Sequence, residues 1–299
     1  EKDEHDNGWT VLHTAAFHGF HRIVRVLLHY EADMASLDET EWTPFYYAVA
    51  EGHFDAVRIF VEHAKQEIKE SLLAGLIGTP YTPMQLAIIN GHYEIVEYLL
   101  NNRVKLTQVT ETGDTCLHLA CKSNDVKLFN LIFRKDTDAL DKRNRSGQSP
   151  LHYAATHDCD SVADELIKKR ANLELQDYKK RTPLFIAVQF SSAKTLELLL
   201  SKGASVHTVD RLLKTCVSRA VEKSSFEVFQ ILLNHILDNF QHLLNQGDDN
   251  RYTPLHTAAE NGKIEMVKVL LGSEGINTVA RDYKKRTALH LAARRGHLE

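Results

Sequence analysis

The stretch RYTPLHTAAENGKIEMVKVLL, residues 251–271, decides how this chain folds. It opens with a polar, turn-prone pair and then places Thr253 directly before Pro254. A threonine hydroxyl accepts a hydrogen bond from a free amide of a first helical turn. Proline is favoured just inside a helix start, where its missing N–H costs nothing. Small residues Ala258-Ala259 follow and let helices approach closely, and Gly262 breaks the run. The apolar pairs Met266-Val267 and Leu270-Leu271 lie four apart and share one face of a second helix. The stretch therefore reads as a finger-like turn, a short helix, a break and a second helix.

The same order recurs along the chain. Thr or Ser anchors stand at Thr10, Thr43, Thr82, Thr115, Ser149, Thr182, Thr215, Thr253 and Thr287, at intervals of 33, 39, 33, 34, 33, 33, 38 and 34. Five of the six prolines follow an anchor directly: Pro44, Pro83, Pro150, Pro183 and Pro254. Gly19, Gly52 and Gly91 mark the same break as Gly262, and Ile23-Val24 with Leu27-Leu28 or Ile95-Val96 with Leu99-Leu100 repeat the apolar pairs. The hexapeptide DYKKRT occurs at 177–182 and again at 282–287, three periods apart, so it fills equivalent places in two units. A fixed period of this length is the mark of a repeat architecture.

The runs Thr253-Pro254-Leu255-His256-Thr257-Ala258 and Ser149-Pro150-Leu151-His152-Tyr153-Ala154 carry a resemblance to the ankyrin repeat. The resemblance covers essentially the whole chain, 1–299, as a single array of nine units. It implies an all-α fold: an α-solenoid of helix–turn–helix units with finger loops, curved, with a concave groove. The unit starting at Thr215 is degenerate, reading Thr215-Cys216-Val217-Ser218 where proline and histidine are expected. Glu41, Lys180, Leu213, Arg251 and Lys285 replace the finger glycine two places before the anchor. Asn124, Asp158, Ser191 and Ser224 stand at or near the inter-helix glycine. The two long intervals place extra residues within 66–81 and 234–249, each read as a lengthened second helix or an extra helical turn followed by a loop. The first unit opens in a finger at Asp6-Asn7-Gly8, and the last stops at Gly296-His297-Leu298-Glu299. The chain is thus expected to be a slice of a longer array, because a solenoid ending on an apolar face needs a cap.

Composition narrows function. The chain has 299 residues, 43% hydrophobic and 25% charged, with 36 basic and 40 acidic side chains and a net charge of −4. That balance argues against a dedicated nucleic-acid binder. Cys116, Cys121, Cys159 and Cys216 are too few for a disulfide scaffold and lack zinc-knuckle spacing, which suggests a reducing, cytoplasmic setting. No run of 18 apolar residues spans a membrane. The start EKDEHDNG is not a signal peptide, and the sequon at Asn144 reads as a chance match.

No phosphate loop, dinucleotide fingerprint, zinc-protease or nucleophile-elbow motif is present, so no catalytic, cofactor or metal residue is expected. Of the seventeen histidines, eight are placed by the repeat instead. His13, His118, His152, His256 and His290 follow their anchors, and His53, His92 and His297 follow the inter-helix glycine. The resemblance implies that such histidines link finger and helix by hydrogen bonds. Asp248-Asp249-Asn250 lacks the spaced ligands of a calcium loop and reads as a solvated turn.

Function is therefore expected from recognition: a non-catalytic scaffold binding a protein or peptide on the concave finger and inner-helix surface. The position before each anchor forms a column of Trp9, Trp42, Tyr81, Asp114, Gln148, Arg181, Lys214, Tyr252 and Arg286. Trp9, Trp42 and Tyr81, with Phe17, are the expected aromatic anchors of a partner surface. Lys179, Lys180 and Arg181 form one basic finger, and Lys284, Lys285 and Arg286 another, about 30 Å away on ordinary helix spacing. They are expected to attract an acidic or phosphorylated segment or an anionic lipid head group. Two other settings fit such an array: the cytosolic arm of an ankyrin-type transient-receptor-potential cation channel, and a targeting domain of a larger enzyme.

Overall fold

The computed structural model describes residues 8–75, 79–223, 225–237 and 240–297. Asp6, Asn7, Ser224, Leu298 and Glu299, on which parts of the sequence reading fall, lie outside the described residues, as do 76–78 and 238–239 of the two insertions.

Most anchors start a helix for the reason their chemistry gives; the helix after Thr43 begins on Pro44 without a side-chain cap hydrogen bond. Thr253 has extended backbone, and its hydroxyl accepts from the His256 amide at 3.4 Å, while the Thr253 amide donates back to His256 Nδ1 at 3.2 Å. This reciprocal cap recurs with His13, His118, His152 and His290. Gln85 takes the same role behind Thr82, its Oε1 accepting from the Thr82 amide at 2.9 Å. In the degenerate unit Ser218 is too short to reach back as far, yet its amide still donates to Thr215 Oγ1 at 3.1 Å and a helix still forms.

The chain divides into two compact units, Glu1–Ala139 and Leu140–Glu299. The first holds α1 (Val11–Phe17), α2 (His21–His29), α3 (Pro44–Ala50), α4 (Phe54–His63), α5 (Gln66–Ala74), α6 (Pro83–Ile89), α7 (Tyr93–Asn101), α8 (Cys116–Ala120) and α9 (Val126–Phe133). A short 3-10 turn, Thr137–Ala139, follows. In this unit α1, α3, α6 and α8 pack in one row and α2, α4, α7 and α9 in a second.

The second unit holds α10 (Pro150–Thr156), α11 (Asp160–Lys168), α12 (Pro183–Phe190), α13 (Ala193–Ser201), α14 (Cys216–Lys223), α15 (Phe226–Leu237), α16 (Pro254–Glu260), α17 (Ile264–Leu271) and α18 (Ala288–Arg295). Here α10, α12, α14, α16 and α18 form one row and α11, α13, α15 and α17 the other. Among the described residues no strand forms, and a single bridge pairs Val209 with Thr215.

The first helix α12 is apolar nearly all round because neighbouring first helices cover it on both sides. In α12, Leu184, Phe185, Ile186, Ala187 and Val188 are all fully buried. Second helices bury one face: α7 buries Ile95, Val96, Leu99 and Leu100. Each such leucine or isoleucine contributes about 2–3 kcal/mol by leaving water.

The two insertions differ. Residues 66–74 form a separate helix, α5, because Ala64 turns to extended backbone and ends α4. The second insertion lengthens α15 to 12 residues and adds a 3-10 helix at Gln241–Asn245.

Candidate functional site

The fingers are built on one acceptor. Five residues before the anchor stands Asp38, Asn144, Asp177, Asp210, Asp248 or Asp282. In each, the side-chain Oδ1 accepts the backbone amides two and four residues on, at 2.8–3.0 Å. Thr110 substitutes, its hydroxyl accepting from the Asp114 amide at 3.0 Å. The clasp bends the backbone so that the residue between those amides takes positive φ. Glu41, Lys180, Leu213, Arg251 and Lys285 lie at φ 63°, 61°, 54°, 58° and 62°, in the region glycine would occupy without strain. The inter-helix replacements Asn124, Asp158 and Ser191 likewise keep positive φ, at 51°, 53° and 61°.

The DYKKRT hexapeptide is such a clasp with its own counter-ion. Arg181 Nη2 lies 2.6 Å from Asp177 Oδ2, and Arg286 Nη2 lies 2.7 Å from Asp282 Oδ2. Burial pushes the Asp282 carboxyl up, but the amide and guanidinium of Arg286 outweigh it and hold it below the ordinary carboxylate range. Arg181 and Arg286 are therefore half-buried parts of the finger frame, and the exposed charge rests on Lys179, Lys180, Lys284 and Lys285. In the second unit a ladder ties successive fingertips together. Tyr178 N donates to Ser146 O at 3.0 Å, Arg211 N to Lys179 O at 3.1 Å, Asp249 N to Leu212 O at 3.2 Å and Tyr283 N to Asn250 O at 3.1 Å.

Three of the histidines join a first helix to the next finger. His13 Nε2 meets Trp42 O at 3.1 Å, His152 Nε2 meets Arg181 O at 3.0 Å and His256 Nε2 meets Arg286 O at 3.1 Å. With Nδ1 accepting from the anchor amide, Nε2 carries the proton and the ring is neutral. Burial lowers His152 to about 4. A second set closes first helices: His53 Nε2 bonds Phe17 O and His92 Nε2 bonds Ala50 O, both at 2.8 Å.

Trp9, Phe17 and Trp42 come together through a residue that the column reading missed, Tyr47. Its ring centroid lies 4.7 Å from Trp9, 5.1 Å from Trp42 and 5.9 Å from Phe17. Asp38 Oδ2 holds the group from below, accepting from Trp9 Nε1 at 3.1 Å and Tyr47 OH at 2.6 Å. Burial pushes the Asp38 carboxyl up, but hydrogen bonds from the Tyr47 hydroxyl, the Trp42 amide and Thr40 bring it below its ordinary value. Trp9, Phe17, Trp42 and Tyr47 are all half-buried. Tyr81 is half-buried too but makes no ring contact with this cluster among the described residues. The missed signals were readable: an Asp or Asn five before the anchor, and a ring four after it.

No group of three or more His, Cys, Asp or Glu arranged to hold a metal ion occurs among the described residues. Burial pushes the Cys116 and Cys216 thiols up to about 12, so both remain protonated near neutrality. No described helix is long and apolar enough to cross a membrane.

Comparison with known proteins agrees with this geometry. A family model described as Ankyrin repeats (3 copies) matches residues 1–71, 64–142, 126–210 and 217–299. Over 279 residues, 89% of this chain and 23% of that protein, the chain is 23% identical to transient receptor potential cation channel subfamily A member 1 of Drosophila melanogaster. It is 26% identical over 193 residues, 60% of this chain and 79% of that protein, to the probable 26S proteasome regulatory subunit p28 of Saccharomyces cerevisiae. It is 36% identical over 95 residues, 31% of this chain and 30% of that protein, to NF-kappa-B inhibitor alpha of Gallus gallus. The chain spans only 23% of the length of the fly channel and 18% of its human counterpart.

Proposed function

This chain belongs to the ankyrin-repeat family, and on that footing we propose that it is a non-catalytic module gripping a protein partner. The grip lies along its fingers and the adjoining ends of its first helices. One observation carries the reading. At the position before the anchor, the scaffold uses the backbone carbonyl of Trp42, Arg181 and Arg286 as acceptor for a histidine, which leaves the identity of the side chain open. That is the economy a recognition surface needs: a constant frame and variable groups upon it.

In the first unit those groups are Trp9, Phe17 and Trp42, with Tyr47 completing the patch and Tyr81 apart from it. Half-buried tryptophan and tyrosine on a fixed base are favourable anchors for a partner. In the second unit they are Lys179, Lys180, Lys284 and Lys285, with Arg181 and Arg286 as their buttresses, facing an acidic or phosphorylated segment rather than an anionic lipid. The module works on the cytoplasmic side, where its four thiols stay reduced.

Affinity capture with the chain as bait tests this. Trp9→Ala with Trp42→Ala is expected to lower recovery of the bound protein at least about tenfold. Lys179→Glu with Lys284→Glu is expected to weaken capture and reduce its sensitivity to salt. Unchanged recovery by both variants, each folded by circular dichroism, contradicts the reading.

A second setting is favoured by the match over 89% of this chain to the fly cation channel. There the array is the cytosolic arm of a channel and serves assembly or gating. Apolar runs of about 20 residues elsewhere in the parent protein would distinguish that setting from a free scaffold.

A further inference from the structure

In the second unit a cleft of about 570 Å³ opens between the fingers at 177–181 and 210–214 and the ends of α12 and α14. Its charges have two fates. Arg181 is held by Asp177, and Arg219 Nη2 lies 2.6 Å from Asp210 Oδ2, so these arginines and the adjoining acids neutralise one another. Glu222 is taken by Lys214 at 2.7 Å. Lys179 and Arg211 have no ion pair among the described residues, and Lys223 reaches only Glu222, at 3.9 Å. The cleft thus keeps three cations at its rim and no unpaired acid in its lining.

Two apolar side chains stand among those cations. Phe190 closes α12 and is 51% exposed, and Leu212 at the fingertip is 56% exposed. Neither serves the core, and both sit on fixed backbone. The Leu212 amide is clasped by Asp210 Oδ1 at 2.8 Å, and Arg211 N is tied to Lys179 O at 3.1 Å. A preordered frame lowers the entropy cost of binding.

Building on the reading of the chain as a partner-binding module, we infer that this cleft receives an extended peptide segment in which an apolar side chain is flanked by carboxylates. The apolar side chain covers Phe190 and Leu212, and the carboxylates meet Lys179, Arg211 and Lys223. A small anion would leave the two apolar groups wet. A polyanion would gain from cation density, which the Asp177 and Asp210 pairings remove.

The test is fluorescence anisotropy on the whole chain with a short labelled peptide carrying glutamates around one leucine and one phenylalanine. Control peptides carry glutamine for glutamate, or serine for the apolar pair. Phe190→Ser and Lys223→Glu, separately, are expected to weaken binding at least about tenfold, and both control peptides to bind as poorly. Lys268→Glu, a charge reversal on the exposed face of α17, is expected to change binding less than about twofold. Failure of the peptide to bind, equal binding of the glutamine peptide, or unaltered binding by both cleft variants overturns the inference. So does displacement of the peptide by inorganic phosphate or by phosphatidylserine vesicles at concentrations comparable to its own. If the cleft fails while capture still depends on Trp9 and Trp42, the cleft alone is wrong; if both fail, the module reading fails with it.

Discussion

Asp177 and its equivalents carry more structure than their exposed neighbours. Each holds two amides of its own finger, and Asp177, Asp210 and Asp282 hold an arginine as well. Asp177→Ala is expected to cost about 3 kcal/mol in urea unfolding, since it orphans two amides and a half-buried guanidinium. Asp177→Asn keeps the amide acceptor, as Asn144 does, and should cost about 1 kcal/mol. At the strained position, Leu213→Gly should stabilise by up to about 1 kcal/mol, the relief of left-handed strain less the added freedom of the unfolded glycine. Titration checks the histidines. His152 binds its proton at about 4 in the folded chain and near 6.5 when free, so the unfolded state takes up protons first as pH falls. Its stabilising contribution is complete above about 6.5 and is lost toward 4, on the order of 3 kcal/mol over that window. His152→Gln, which imitates Gln85, should keep the cap and flatten this part of the pH profile. An unchanged profile in the variant would contradict the assignment. The histidine positions were readable in the sequence from the repeat. So was the recurrence of Asp or Asn five residues before the anchor, but that the side chain folds back onto two amides of its own finger shows only in the structure.

Between elements, the device that sets neighbouring helix pairs is a glycine facing a histidine of the next unit. A Cβ built on Gly52 would lie 2.6 Å from the His92 ring, and the residue has φ 78°. Gly52→Ala should therefore cost about 2 kcal/mol or more. Adding His92→Ala should recover the steric part and leave the backbone part, a coupling that a double-mutant cycle measures. Where Gly is replaced by Asp158, the side chain does other work: its Oδ1 accepts the Thr195 amide at 2.8 Å. The alternation of first and second helices was readable from period and proline placement. The separate helix α5 was not, since nothing in the run 66–81 signals a turn at Ala64 as strongly as proline or glycine would.

For the molecule as a whole, the sequence reading set Trp9, Phe17, Trp42 and Tyr81 on one surface; the fold brings the first three together through Tyr47 and leaves Tyr81 without a ring contact to them among the described residues. It did not separate framework charge from surface charge. Arg181 and Arg286 read like their lysine neighbours in the string, and only the distance to an aspartate distinguishes them. The central claim is that recognition lies on fingers and first-helix ends while second helices supply only support. The most direct measurement is hydrogen–deuterium exchange of the chain with and without its captured partner. The account predicts added protection at 38–47, 177–190, 210–223 and 282–286, with α7, α13 and α17 unchanged. Protection confined to those second helices, with the fingers exchanging as in the free chain, would contradict it.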